Sequence, residues 1–165
     1  MYRTSNWARL TVVTLLIASC ATVPAENDPG FMLQRLADAI ARGDVAAASA
    51  LYTDDASVDV HAPGSLCSAA PCVGKVAIQK DLERRASLKQ QTIITNTYVF
   101  GNVVTFRGEL RNEAVQKAGS DRAIVWGIYE TRGDKFSRAH TGIFERADPQ
   151  TARFLEWQRM QASGR

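Results

Sequence analysis

The stretch Leu51-Tyr52-Thr53-Asp54-Asp55-Ala56-Ser57-Val58-Asp59-Val60-His61-Ala62-Pro63-Gly64, with Gly74-Lys75-Val76-Ala77-Ile78 beyond it, decides the architecture of this chain. Asp54 and Asp55 are short acids that favour turns, so Leu51 to Ala56 reads as the close of a helix. Ser57 to Ala62 then alternates with the period of a half-buried strand, which Pro63-Gly64 ends. A loop holding Cys67 and Cys72 follows, and a further helix opens at Gly74.

Working backwards, Asp28 with Pro29 has the form of an N-cap followed by proline at the first helical position. Leu33, Leu36, Ala37 and Ile40 recur at helical spacing until Gly43, and Asp44 caps a second helix. Working forwards, Ile78, Leu82 and Ala86 give the third helix one apolar face, which should cover a sheet. Lys75, Lys80, Arg84, Arg85 and Lys89 gather around that helix, interrupted by Asp81 and Glu83, and read as a solvated face. Residues 93–100 and 103–106 are rich in β-branched and aromatic side chains and meet at Gly101-Asn102, a hairpin signal. Ala118-Gly119-Ser120-Asp121 turns the chain again. Two last strands, 123–131 and 136–144, join at Arg132-Gly133-Asp134, and Asp148-Pro149 starts a C-terminal helix.

The sum is an α+β chain with three N-terminal helices packed on a curved, mainly antiparallel sheet and a short C-terminal helix. Helix, helix, strand, helix and then strands, with Arg42-Gly43-Asp44, the Leu51–Gly64 stretch and Gly74-Lys75-Val76-Ala77-Ile78, resembles the SnoaL-like branch of the nuclear transport factor 2-like superfamily. The resemblance covers Met32 to Phe144. It implies a cone with a pocket at its open end, and it fixes fold rather than chemistry, since the superfamily holds isomerases, dehydratases, cyclases and proteins without catalysis.

The chain's 165 residues suit one domain, and its 45% hydrophobic and 22% charged composition is that of a globular protein. Arg3 and Arg9 precede the apolar run Leu10 to Ile17, the n-region and h-region of an export signal too short to span a bilayer. Ile17-Ala18-Ser19-Cys20 resembles the lipobox of bacterial lipoproteins, in which the cysteine is acylated; several acyl chains anchor stably where one does not. The expected organisation is a signal peptide at 1–19, a tether at 20–28, the SnoaL-like domain at 29–146 and a C-terminal helix and tail at 147–165. Ala21 in place of Asp implies the outer membrane, with the domain facing the periplasm. Cys67 and Cys72 are close enough in one loop to form a disulfide in such an oxidising space. The formal charge of +3 includes Arg3 and Arg9, so the mature chain carries two fewer positive charges and no nucleic-acid footprint.

Ketosteroid isomerases, within the same superfamily, use an Asp base with a Tyr and a protonated Asp. Matched through the quoted motifs, those positions fall on Val60, Leu36 and Trp126, none of which handles protons. Strand alternation and the resemblance together put Leu36, Tyr52, Val58 and Val60 on the pocket wall, with Tyr98, Trp126, Ala139 and Thr141. His61 is the one candidate for a catalytic residue, as the base of an isomerase or dehydratase brought inward by a bulge after Val60; the alternative is a solvent-facing histidine. His140 and Arg138 share a polar face, and Glu109 with Arg107 and Arg111 forms cross-strand pairs. No cofactor is implied, and no cluster of Cys and His supplies a metal site. The function this supports is an exported, lipid-anchored protein with a mainly apolar pocket for a small molecule. The alternatives are the His61 enzyme and an envelope module that pairs as a homodimer through its sheet, with Tyr129, Phe136 and Phe144 on the exposed face.

Overall fold

The computed structural model describes residues 28–62 and 65–164. The expected signal, the expected lipobox with Cys20 and the strand end expected at Pro63-Gly64 lie outside the described residues. The elements are α1 (Pro29–Ala41), α2 (Val45–Ala50), β1 (Tyr52–Val60), β2 (Cys72–Val73), α3 (Lys75–Ser87), β3 (Gln91–Phe100), β4 (Val103–Arg111), α4 (Glu113–Lys117), β5 (Ala123–Arg132), β6 (Lys135–Phe144) and α5 (Pro149–Ala162). The helix starts follow from their caps. Asp28 accepts from Phe31 N, Asp44 from Ala47 N and Asp148 from Thr151 N, each at 2.9 Å, satisfying donors that a helix N-terminus leaves open.

One six-stranded sheet runs in the order β2-β1-β6-β5-β4-β3. β1 pairs with β6 in parallel, and every other pairing is antiparallel. The helices number five among the described residues rather than the four expected. The addition is α4, a short helix whose Asn112 accepts from Val115 N at 2.8 Å.

Two expectations about the strands are corrected. Tyr52 to Ala56 does not close a helix but opens β1, and the pairing with β6 shifts between Tyr52 and Ser57. Tertiary packing overrides the turn preference of the acids, because Tyr52 and Ala56 are buried while Asp54 pairs with Lys75 and Asp55 with Arg132 on the outside. The second correction concerns β6, where strict alternation groups Ala139 and Thr141 with Ser137 and Ile143. Two register shifts against β5 change the phase, one that skips Ser137 and one that skips Gly142, which has φ +77°. Phe136, Ala139 and Thr141 therefore face the core together, and Arg138 and Ile143 face solvent.

Aromatic rings fill the middle of the core. Phe136 packs between Tyr52, with ring centroids 5.8 Å apart, and Tyr129, at 4.9 Å. Tyr129 and Phe136 are thus interior residues, not the exposed sheet face expected of them, and Phe144 stacks edge-on against Phe154 of α5. The Cys67–Cys72 disulfide closes the loop between β1 and β2. No helix among the described residues is long and apolar enough to cross a membrane.

Candidate functional site

Helices α1, α3 and α5 cover one side of the sheet without filling the space between, leaving a cavity of about 470 Å³, within the range of small-molecule sites. α1 lends Leu33, Leu36 and Ile40 to its wall, the stripe that its 3.6-residue period places on one side. The sheet adds Val60, Ile94, Phe106, Leu110, Val125 and Thr141, and α5 adds Trp157 and Gln158 at one side.

Ser65, Gln90, Thr92, Asn112, Thr141, Gln158 and Gln161 are polar points on this wall, and its charged groups come from α3. Asp81 and Arg85 are one turn apart, and Arg85 Nε lies 2.6 Å from Asp81 Oδ2. Asp81 also accepts from Ser65 Oγ at 2.8 Å and from Leu66 N at 3.1 Å. Among the described residues it is the one acid on the cavity wall, and its oxygens are committed to three donors, which makes it an anchor for α3 and the disulfide loop rather than a base. Behind the wall, burial pushes the Tyr52 hydroxyl well above the usual phenol range, and its hydrogen bond with Tyr129 adds to the effect. Burial opposes the charge of Arg85 most strongly, but Asp81 together with Tyr129 and Tyr52 reverses the balance, so the guanidinium pKa is raised.

Of the residues expected on the pocket wall, Leu36, Val60 and Thr141 line the cavity. Tyr52, Val58 and Ala139 are buried in the core beside it. Tyr98 and Trp126 are corrections, since they lie on the outer face at 52% and 36% exposure. β5 is apolar on both faces, so alternation cannot orient it, and Val125, Gly127 and Tyr129 are the residues it turns inward. Trp126 donates to Glu145 at 3.3 Å, with the Arg107 guanidinium over its ring. Glu109 pairs with Arg111 and Arg122, away from the cavity.

The base role for His61 is also corrected. No bulge follows Val60, which pairs with Thr141, and His61 N donates to Thr141 O at 2.8 Å, so the imidazole leaves on the outer face. There it meets His140 and Asp59 instead of the cavity. Sequence reasoning missed the Asp81–Arg85 pair, which it placed on a solvated face. The signal was present in the spacing, since Ile78, Asp81, Leu82 and Arg85 fall on one side of a helix.

No family model and no curated protein matches this chain. Solved structures do match. A nuclear transport factor 2-like protein of unknown function from Cytophaga hutchinsonii shares 12% identity over 72% of this chain and 90% of its own, with a TM-score of 0.55. A candidate polyketide cyclase from Sinorhizobium meliloti shares 15% over 67% and 92%, with a TM-score of 0.55. A protein with a ketosteroid isomerase-like fold from Catenulispora acidiphila, in complex with trimethylamine, shares 19% over 67% and 82%, with a TM-score of 0.53. The sheet order, the helices on one side of the sheet and these likenesses together give the chain the nuclear transport factor 2-like fold.

Proposed function

We propose that this chain is an exported, lipid-anchored SnoaL-like protein whose cavity binds a small, mainly apolar molecule, with any polar end directed at Arg85 and Tyr129. The observation that carries the reading is the cavity itself, apolar over most of its wall, with scattered uncharged polar groups and with its one acid among the described residues already paired to an arginine. Proton transfer needs a group free to take or give a proton within reach of the substrate; with Asp81 tied to three donors and His61 outside, binding without turnover fits better. Export is supported by Arg3, Arg9 and the apolar run before Cys20, and the Cys67–Cys72 disulfide suits an oxidising compartment.

The test uses 1-anilinonaphthalene-8-sulfonate, an apolar ring system with one anionic end. Its fluorescence should rise saturably with one equivalent of protein. Ile94→Trp, which fills the cavity from its edge, should weaken binding about tenfold or more. Equal binding by Ile94→Trp and the parent chain would remove the cavity from the account.

A second reading is favoured by the outer face of the sheet, where Tyr98, Trp126, Ile128 and Ile143 stand exposed together. A second copy of the chain pairing through this face would cover them. Light scattering of the parent chain should then give a dimer mass and that of Ile128→Lys a monomer mass; a monomer in both discards the pairing.

A further inference from the structure

The register of β1 against β6 sets Asp59 directly opposite His140, and His61, just past the end of β1, is the next outward residue. Three side chains that can ligate a metal thus converge on the outer face, drawn from segments some eighty residues apart in sequence. Asp59 Oδ2 lies 3.4 Å from His61 Nε2 and 3.2 Å from His140 Nδ1. His61 Nε2 lies 3.4 Å from that same His140 Nδ1. These three atoms form a nearly equilateral triangle, and the other nitrogen of His140, Nε2, lies within hydrogen-bond distance of His61 Nε2 at 2.8 Å.

We propose that Asp59, His61 and His140 form a binding site for a divalent transition metal of the zinc class. A tetrahedral ion with bonds of about 2.0–2.1 Å separates its ligand atoms by roughly 3.3–3.4 Å, which is the triangle found here. An octahedral ion with bonds of the same length needs about 2.8–3.0 Å between neighbouring ligands, shorter than all three sides of this triangle. Two imidazoles also disfavour magnesium and calcium, which take oxygen ligands, and suit zinc, copper and nickel.

The ligands are placed by backbone pairing, so little order has to be created on binding. Val60 pairs with Thr141 between Asp59 and His61, and His61 N donates to Thr141 O at 2.8 Å, fixing the backbone from which the imidazole leaves. The side chains are 47%, 32% and 45% exposed for His61, Asp59 and His140, which leaves an entry path and a fourth coordination position for water. Cys67 and Cys72 do not compete, because their sulfurs are joined. The site lies on the opposite face of the sheet from the cavity and does not depend on what the cavity binds.

The experiment is a titration of the full chain carrying Cys20→Ser, so that no free thiol competes, with Zn²⁺ against a chromophoric chelator. A parallel titration with Co²⁺ reports geometry by visible absorption. The expected result is one equivalent of saturable binding and a tetrahedral cobalt spectrum. His61→Ala, His140→Ala and Asp59→Asn should each weaken binding by about tenfold or more, while Asp55→Asn on the same strand leaves it unchanged. All four positions are at the surface, and circular dichroism of each variant should match the parent. Absence of saturable binding, or equal affinity in His140→Ala, would show a hydrogen-bonded surface pair of histidines and overturn the assignment.

Discussion

Arg85 reaches back one turn of α3 to Asp81, Nε to Oδ2 at 2.6 Å, and the pair is buried on the wall of a cavity otherwise lined mostly by apolar groups. Removing one member of such a pair leaves an uncompensated charge in a poorly solvated place. Arg85→Met keeps most of the side-chain volume and should destabilise the fold by about 3 kcal/mol, read as a lower midpoint in urea unfolding with an unchanged slope. A midpoint equal to that of the parent chain would mean that the pair is solvated.

Tyr52 gives the alkaline limb of stability. Its folded-state pKa is raised by burial, so above about pH 10 the unfolded chain loses this proton first and binds fewer protons than the native state. Stability is therefore complete below that pH and falls as the pH rises beyond it. Tyr52→Phe should flatten that fall while costing about 1 kcal/mol at neutral pH for the lost hydrogen bond with Tyr129. Thermal melts between pH 8 and 11 read both effects. On the acid side the sign reverses. Asp55 and Glu145 are held below the carboxylate range by hydrogen bonds from Arg132 and Arg107, and Asp148 by the backbone of Thr151; their contribution is present above about pH 4 and is lost as the pH drops through their folded values.

Gly127 marks a close approach within β5. A Cβ there would lie 2.4 Å from Phe106 Cε1 and 2.7 Å from Thr141 Oγ1, and both neighbours belong to the cavity wall. Gly127→Ala should lower stability by about 1–3 kcal/mol through overpacking and shrink the cavity, visible as weaker binding of the anilinonaphthalene probe. Unchanged melting and binding would show that Phe106 rotates away at no cost.

Anchoring is tested at Cys20. Expressed with its signal in a bacterium, the parent chain should fractionate with membranes, and Cys20→Ala should appear in the soluble periplasmic fraction. Membrane fractionation that survives the substitution would refute the lipobox reading.

Much of the element order was legible because it rests on local chemistry. Asp28-Pro29, Asp44 and Asp148-Pro149 are caps that act within one turn, and Gly101-Asn102 turns the hairpin from its own backbone preferences. The inner wall was harder to read. Leu36 follows from the helical period of α1 and Val60 from alternation on a strand with one apolar face, whereas Thr141 sits on β6, whose two register shifts change the phase, and Trp126 and Ile128 sit on a strand apolar on both sides, where alternation has no preferred phase. Charges also misled, since Arg85 looks like its solvated neighbour Arg84 until the fold supplies Asp81 with burial. The meeting of His61 with His140 depends on a parallel pairing between distant strands, which no local pattern encodes.

Gly142 sits where β6 skips a residue against β5, at φ +77° and with Ala62 N only 2.8 Å from where a Cβ would stand. An unkinked strand would carry the alternation straight through from Thr141, swinging Ile143 inward and Phe144 outward and stripping α5 of the ring that Phe154 rests against. One missing methyl group thus keeps the last helix seated, and with it the Trp157 side of the chamber.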